Sequence, residues 1–143
     1  YAARAGTTTI WYTGNEKESL DGAANLRDSF NKEHGGDQAW EYDEWLNDGY
    51  QFTAPIGSFR PNAFGLHDVI GNLWEWCLDV KGYGSDDEIE EPFIRINRGG
   101  SWFQVADGST IADRNTDSMK GRCDFVGVRP AASLQGSWSY RSL

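Results

Sequence analysis

Two cysteines are the residues best suited to redox or soft-metal chemistry in this sequence. Cys77 and Cys123 lie 46 residues apart, and neither belongs to a CxxC pair. Without such pairs, or a framework of four or six cysteines, a structural zinc site is improbable. The two cysteines could form one disulfide in an oxidising compartment or remain two buried thiols, and the sequence leaves both alternatives open.

The two histidines do not indicate a catalytic site. His34 lies among charged residues and glycine, which is typical of a surface position. His67 is better explained as a packed loop or core histidine than as a metal ligand. Neither belongs to a Cys-His or Ser-His-Asp arrangement that the sequence supports. The acidic run at 86–91 is likewise better explained as a solvated loop than as a metal site.

Composition predicts a folded domain that does not bind nucleic acid. The 143 residues include 13 Lys and Arg against 22 Asp and Glu, a net charge of -9 that would repel a phosphate backbone. Mean hydropathy is -0.64, and no stretch resembles a membrane span. Aromatic residues reach 14% and there are 17 glycines. This combination favours short strands and long ordered loops over a helical bundle.

The elements that position these residues are short. Residues 10–12 resemble a strand end, and residues 13–60 show little period of either kind. We expect 13–60 to form long ordered loops pinned by buried aromatic residues, with at most a turn of helix at 43–47. Loops of that length usually need an ion or a function to order them.

Three later segments are predicted strands. Residues 73–76 are short and aromatic, 93–98 alternate apolar with polar, and 125–129 are rich in β-branched residues before a proline. Residues 1–5 resemble the end of a helix, with Gly6 in the position of a C-terminal cap. This pattern indicates that the fold begins upstream of residue 1.

Four segments together resemble the formylglycine-generating-enzyme, or sulfatase-modifying-factor, family. The third and fourth are similar to the family's RGGSW and GFR motifs, with Val128 in place of the usual phenylalanine. Their order and spacing make coincidence improbable. The segments are YAARAGTTT at 1–9, FRPNAFGLHDVIGNLWEW at 59–76, RINRGGSW at 95–102, and the pattern from Ala112 to Ala131 that includes VGVRPA.

The resemblance implies an α+β, C-type lectin-like fold with a small antiparallel sheet and long ordered loops. Residues 1–131 would be its C-terminal portion, and 132–143 a polar tail. The N-terminal part of the fold would then lie outside this chain and would be one of its partners. The family includes copper-dependent oxidases of sulfatase cysteine, components of iron enzymes of thiohistidine biosynthesis, and binding proteins such as the variable proteins of diversity-generating retroelements.

The copper-binding residues of the oxidases are missing from the matching positions. Those enzymes need two cysteines in and just after the RGGS motif, because thiolates are the ligands that suit copper(I). Here Gln104 stands where the first cysteine would be, and Ser109 lies near the second. Cys77 and Cys123 fall in other motifs. We therefore expect no copper and no oxidase activity.

The same resemblance implies two structural calcium sites made of oxygen ligands. The alternative for the second is that its carboxylates only accept hydrogen bonds from loop amides. The first site would use the side chains of Asn25 and Asp48 and the carbonyls of Leu26 and Tyr50. The second would use the side chains of Asp68 and Glu75 and the carbonyls of Gly71 and Leu73.

The segment 102–124 is where this family builds its ligand pocket, and it predicts a surface for a protein or other macromolecular ligand. Aromatic and short polar residues on rigid flanks suit such a surface. The alternative is an ordinary loop and strand with scattered surface residues. The candidate ligand-binding residues are Trp102, Phe103, Gln104, Asp107, Thr110, Ile111, Asp113, Asn115, Thr116 and Asp117.

Two functions therefore follow from the sequence. One is a non-catalytic ligand-binding module, such as a retroelement variable protein, for which a cell-surface, virion or secreted location is favoured over the cytoplasm. The other is a component of an enzyme whose reactive residues lie outside this chain.

Overall fold

The computed structural model describes residues 1–80 and 94–132. The acidic run at 86–91, the first residue of the strand predicted at 93–98, and most of the predicted tail lie outside the described residues. Within the described part, no helix is long and apolar enough to cross a bilayer.

The described chain forms a four-stranded sheet with short helices and long loops. The strand order is β3-β2-β1-β4. β1 pairs antiparallel with β2, and β2 pairs antiparallel with β3, whereas β4 runs parallel to β1. The sheet is therefore mixed rather than antiparallel as predicted. After β3, at one edge, the chain crosses to the opposite edge, where β4 pairs parallel with β1. The elements are α1 (Ser29–Glu33), β1 (Trp74–Val80), β2 (Ile94–Arg98), β3 (Asn115–Ser118), β4 (Val126–Gly127) and two 3-10 turns, Lys17–Leu20 and Ala106–Gly108.

Three strands lie where the sequence predicts them, although their ends differ. β1 continues beyond residue 76, and β4 is shorter than the predicted 125–129. β3 was not predicted, since its residues are all polar, and it forms because β2 supplies four consecutive backbone partners. Residues 10–12 do not form a strand: Trp11 pairs only with Gly14 across a tight turn.

Helical structure also departs from the prediction. Residues 43–47 form a turn closed by a hydrogen bond from the Leu46 amide to the Asp43 carbonyl at 3.0 Å. The helix instead forms at α1, where the Asp28 carboxylate accepts the Asn31 amide at 3.0 Å and caps its first turn. At the N-terminus, residues 1–5 make a single turn that ends in positive φ at Ala5 and Gly6.

The hydrophobic core lies among the loops. Trp11 is buried against it, and its indole nitrogen donates to the Ser109 carbonyl at 3.2 Å. Aromatic residues pin the loops as predicted at Tyr42 and Phe59, which are buried, but not at Phe52, which is largely exposed. The core residues are Trp11, Leu20, Ala24, Leu26, Leu46, Val69, Ile70 and Ala106.

Two residues just before β1, Gly71 and Asn72, connect it to three other segments, at residues 25, 54 and 102. Both have positive φ, 72° and 63°. The Asn72 amide donates to the Asn25 carbonyl at 2.8 Å, and its carbonyl accepts the Trp102 amide at 3.0 Å. Its side chain accepts the Ala54 amide at 2.9 Å. The close approach of residues 25 and 71 fixes how the loop layer meets the sheet, and we call it the Gly71–Asn72 crossing.

Substitution of Gly71 tests the crossing. A Cβ at Gly71 would lie 2.2 Å from the Asn25 carbonyl oxygen, whereas Gly57 has similar φ, 82°, and nothing within 4 Å. Gly57→Ala should lower the free energy of unfolding by about 1–2 kcal/mol, the cost of left-handed backbone. Gly71→Ala should lower it by about 1–3 kcal/mol more, because it is also overpacked. Urea denaturation measures both, and equal losses would contradict the assigned close approach.

Candidate functional site

The four residues of the first predicted calcium site come together. The Asp48 carboxylate accepts the Leu26 amide at 2.8 Å through Oδ2 and the Tyr50 amide at 2.8 Å through Oδ1. Asn25 is fully buried, and its Nδ2 donates to the Phe52 carbonyl at 2.8 Å. Its Oδ1 has no hydrogen-bond partner within the described structure. The Asn25 side-chain oxygen is therefore buried without a partner, and Leu26 and Tyr50 face Asp48 through their amides rather than the predicted carbonyls.

Negative charge accumulates at this site. Asp28 is fully buried, and its Oδ2 accepts the Asp48 amide at 2.5 Å. Burial raises the pKa of Asp48 to about 7, and repulsion from Asp28 adds to the shift. Burial also raises the pKa of Asp28. No Lys or Arg of the described chain pairs with either carboxylate. A bound cation would relieve both effects.

The second predicted calcium site opens onto a cavity of about 220 Å³, which Asp68, Leu73 and Glu75 line. Asp68 is buried with positive φ, 55°, and its Oδ2 accepts the Gly57 amide at 2.7 Å. Its Oδ1 is buried and without a partner in residues 1–80 and 94–132. Gly71, the fourth predicted member, is not among the described residues that line this cavity.

Arg129, which is not among the predicted ligands, contacts the second group. Its Nε and Nη2 donate to the Glu75 carboxylate at 2.6–2.9 Å, and Nη2 also donates to the His67 carbonyl at 2.8 Å. The match of VGVR to the GFR motif was the available signal. The alternative to calcium was that both carboxylates only accept hydrogen bonds from loop amides. Asp68 does accept the Gly57 amide, whereas Glu75 forms an ion pair with Arg129.

The residues fit a hard cation better than a soft one. Both groups contain carboxylate and backbone carbonyl oxygens, and the first adds the Asn25 amide oxygen, all of which are ligands that calcium prefers. Unpartnered buried oxygens on Asn25 and Asp68 are what an oxygen-coordinated ion would use. The described residues contain no cluster of three or more His, Cys, Asp or Glu side chains, so each site would depend on carbonyl and amide oxygens as well.

The two residues predicted to replace the copper-binding cysteines, Gln104 and Ser109, lie in different environments. Ser109 is fully buried, with its hydroxyl unpartnered in the described structure. Gln104 contributes its carbonyl, which accepts the Arg27 amide at 2.8 Å. No disulfide joins the two cysteines in the described chain. Desolvation and the neighbouring Asp117 carboxylate raise the pKa of the Cys123 thiol, so its thiolate is disfavoured.

The predicted ligand surface is divided between core and exposed positions. Trp102 is only 5% exposed: its indole packs against Phe52 and Phe103, and its nitrogen donates to the Asp124 carbonyl at 3.3 Å. It supports the surface from beneath. Ile111 also packs against the core. Asp107 is exposed, and the other candidates are partly exposed, namely Phe103, Gln104, Thr110, Asp113, Asn115, Thr116 and Asp117.

Two features fix the backbone of this surface. Arg98, at the end of β2, donates to the carbonyls of Ala112 and Asp113 at 2.8 and 2.9 Å. The Asp113 carboxylate accepts the Thr110 amide at 2.7 Å. β3 then continues along β2 as an edge of the sheet. The arginine of the RGGS motif therefore holds the loop whose side chains face outward.

Comparison with known families identifies the family to which the chain belongs. The family model described as "Sulfatase-modifying factor enzyme 1-like domain" matches residues 1–134. The chain belongs to this family. The resemblance read from the four sequence motifs is thereby confirmed.

Relatives of this sulfatase-modifying-factor-like domain include proteins with different names. The "Inactive C-alpha-formylglycine-generating enzyme 2" of Bos taurus is 31% identical over 100 residues, covering 61% of this chain and 31% of that protein. The "Formylglycine-generating enzyme" of Thermomonospora curvata is 59% identical over 52 residues, covering 35% of this chain and 16% of that protein. The domain thus spans less than a third of either relative.

A solved structure confirms the fold. The "Treponema denticola variable protein 1" superposes with a TM-score of 0.67 and 26% identity, over 90% of this chain and 42% of that one. The sulfatase-modifying-factor-like domain therefore has the predicted α+β, C-type lectin-like fold, with a mixed sheet, and it matches part of that longer chain.

Proposed function

We propose that this domain is a non-catalytic module that binds a protein or other macromolecular ligand through the surface from Phe103 to Asp117. The observation that carries the proposal is chemical. Gln104 and the buried Ser109 stand in the region where the oxidases of this family need cysteines, and neither an amide nor a hydroxyl suits copper(I). Because the fold persists without the copper ligands, we infer that the domain binds a ligand rather than catalysing a reaction.

The surface is well supported for recognition. Trp102 fixes Phe103 from below, and Arg98 fixes the loop before β3. A backbone that is ordered before binding loses less conformational entropy when a ligand arrives. Short polar residues on the edge strand, such as Asn115 and Thr116, can then be substituted to bind a different ligand while the backbone that carries them stays the same.

The names of similar proteins support this proposal. One relative is called inactive, and one structural neighbour is called a variable protein. For this chain we infer a role like that of a retroelement variable protein, in which the surface segment varies and the flanking motifs hold the fold. A reverse transcriptase gene beside a near-repeat of the segment encoding 99–128 would support it.

A second candidate is a component of an enzyme whose reactive residues lie outside this chain. The 59% identity to part of a formylglycine-generating enzyme favours it. So does the coverage, since the domain matches only 16% of that enzyme's length and reactive residues would lie in the rest. A helical iron-binding domain encoded upstream would support this candidate over the first.

We also propose that calcium stabilises the loops at both predicted sites. The first group is Asn25, Leu26, Asp48 and Tyr50, and the second is Asp68, Gly71, Leu73 and Glu75. Support comes from the two unpartnered buried oxygens and from the raised pKa values of Asp28 and Asp48, which pair with no Lys or Arg of the described chain. A bound ion would supply positive charge and oxygen coordination to loops that contain little regular structure.

Calcium dependence of stability tests the first site. In chelator, the pKa of Asp48, about 7 in the fold against an ordinary 3.8, means that the folded state retains a proton that the unfolded state releases. The free energy of unfolding should therefore fall as pH rises from about 4 to about 7, and stay low above that. Calcium should oppose this fall. A free calcium concentration of roughly 100 times its dissociation constant should raise the free energy of unfolding by about 2.7 kcal/mol.

Asp48→Asn should reduce both the fall with pH and the gain with calcium, whereas Asp21→Asn, at an exposed position, should change neither. For the second site, Asp68→Ala combined with Glu75→Ala should lower the melting temperature and its calcium response. Melting curves in calcium and in chelator provide the measurement. Identical curves across this pH range would refute the calcium assignment.

Photo-crosslinking tests the binding surface. Benzoylphenylalanine is introduced into the full-length protein in its own cells, in place of Asp107 or Asn115. A matched control places it at Glu33, which is exposed on α1. We expect a discrete adduct from the first two positions and none from the control. Phe103→Ala should lower the adduct yield while circular dichroism stays unchanged. Equal labelling at all three positions would remove the support for this surface.

A further inference from the structure

Arg27 is a partly exposed arginine that lies among aromatic rings rather than beside a carboxylate. Its guanidinium carbon is 5.4 Å from the centroid of Trp40, 5.9 Å from that of Tyr42 and 5.5 Å from that of Phe103. We call these four residues the Arg27 cluster. Phe103 belongs to the predicted ligand surface, so the cluster adjoins it.

Within residues 1–80 and 94–132, the guanidinium of Arg27 has no hydrogen-bond acceptor. Its Nε is buried and unpartnered in the described structure, and no carboxylate of the described chain forms an ion pair with it. Ring faces attract the positive charge but offer little to the five N–H donors of the side chain. A buried donor on a charged group without an acceptor is unfavourable, so an acceptor from outside the domain would be stabilised here.

The cluster is fixed on one side and open on the other. The Arg27 amide donates to the Gln104 carbonyl at 2.8 Å, and its carbonyl accepts the Asp43 amide at 3.0 Å. Tyr42 is buried, and its hydroxyl donates to the Asp37 carbonyl at 2.9 Å. Trp40 is 38% exposed, and its ring packs edge to face against Phe103 with the two ring centroids 4.9 Å apart. The exposed Trp40 ring and the partly exposed Phe103 ring therefore mark the open side of the cluster.

We propose that Arg27 binds a carboxylate of a peptide or protein ligand, with an apolar group of that ligand against Trp40 and Phe103. A carboxylate is planar and accepts two parallel N–H bonds from a guanidinium, and its flat shape fits a site walled by rings. The domain's net charge of -9 disfavours multiply charged phosphate compared with a single carboxylate. The proposal rests on the binding function proposed above and names the chemistry of the ligand.

Arginine side-chain NMR on the isotope-labelled protein tests the proposal. The probe is N-acetylphenylalanine, which carries a carboxylate beside an aromatic ring, and its control is the uncharged N-acetylphenylalaninamide. We expect the Arg27 Nε–H signal to move downfield and saturate with the acid but not with the amide. Arg27→Gln identifies the signal by its loss. The signal of Arg122, an exposed arginine, should not move.

Arg27→Lys keeps the charge but lacks the planar fork, and it should weaken binding of the acid at least about tenfold. If Arg27→Gln fails to fold, the wild-type titration and Arg27→Lys still decide the question. Equal shifts with acid and amide would overturn the carboxylate assignment, as would a larger shift with inorganic phosphate. An unmoved Arg27 signal overturns it too, while crosslinking at Asp107 and Asn115 judges the binding function separately.

Discussion

The backbone contact between Asn25 and Gly71 is the constraint on which the rest of the domain depends. It requires a residue without a Cβ at Gly71, since a Cβ there would meet the Asn25 carbonyl oxygen at 2.2 Å. The next residue, Asn72, then bonds to backbone at residues 25, 54 and 102. One short turn thereby fixes both groups of candidate calcium ligands and the start of the ligand surface.

Charge is the second constraint on these loops. Asp28 and Asp48 accept amide hydrogen bonds that order the chain, and ionised carboxylates make those bonds stronger. The same burial raises the pKa of both, so order and ionisation oppose each other without a counter-ion. At the second group, Arg129 supplies positive charge to Glu75. A bound cation would therefore stabilise the first group, which has no positive partner in the described chain, more than the second.

The sequence predicted the parts of this structure whose signals are local. β2 alternates apolar with polar residues, and the motif around Gly71 is specific enough to identify the family. β3 could not be predicted, since Asn115 to Ser118 are polar and are ordered only by pairing with β2. The burial of Trp102 and the ring environment of Arg27 depend on distant segments, and residue types alone do not reveal them.

Under the proposed function, Gln104 and Ser109 in place of two cysteines separate this domain from the oxidases that it resembles, while the lectin-like scaffold is retained. Ser109 is buried beneath Gly100, and the thiol of Cys123 lies near Asp117, away from the RGGS turn in sequence. The most direct measurement is anaerobic titration of the reduced protein with copper(I) held by a competing chelator. A non-catalytic domain leaves the copper on the chelator, and one-to-one transfer of copper(I) to the protein would contradict the proposed function.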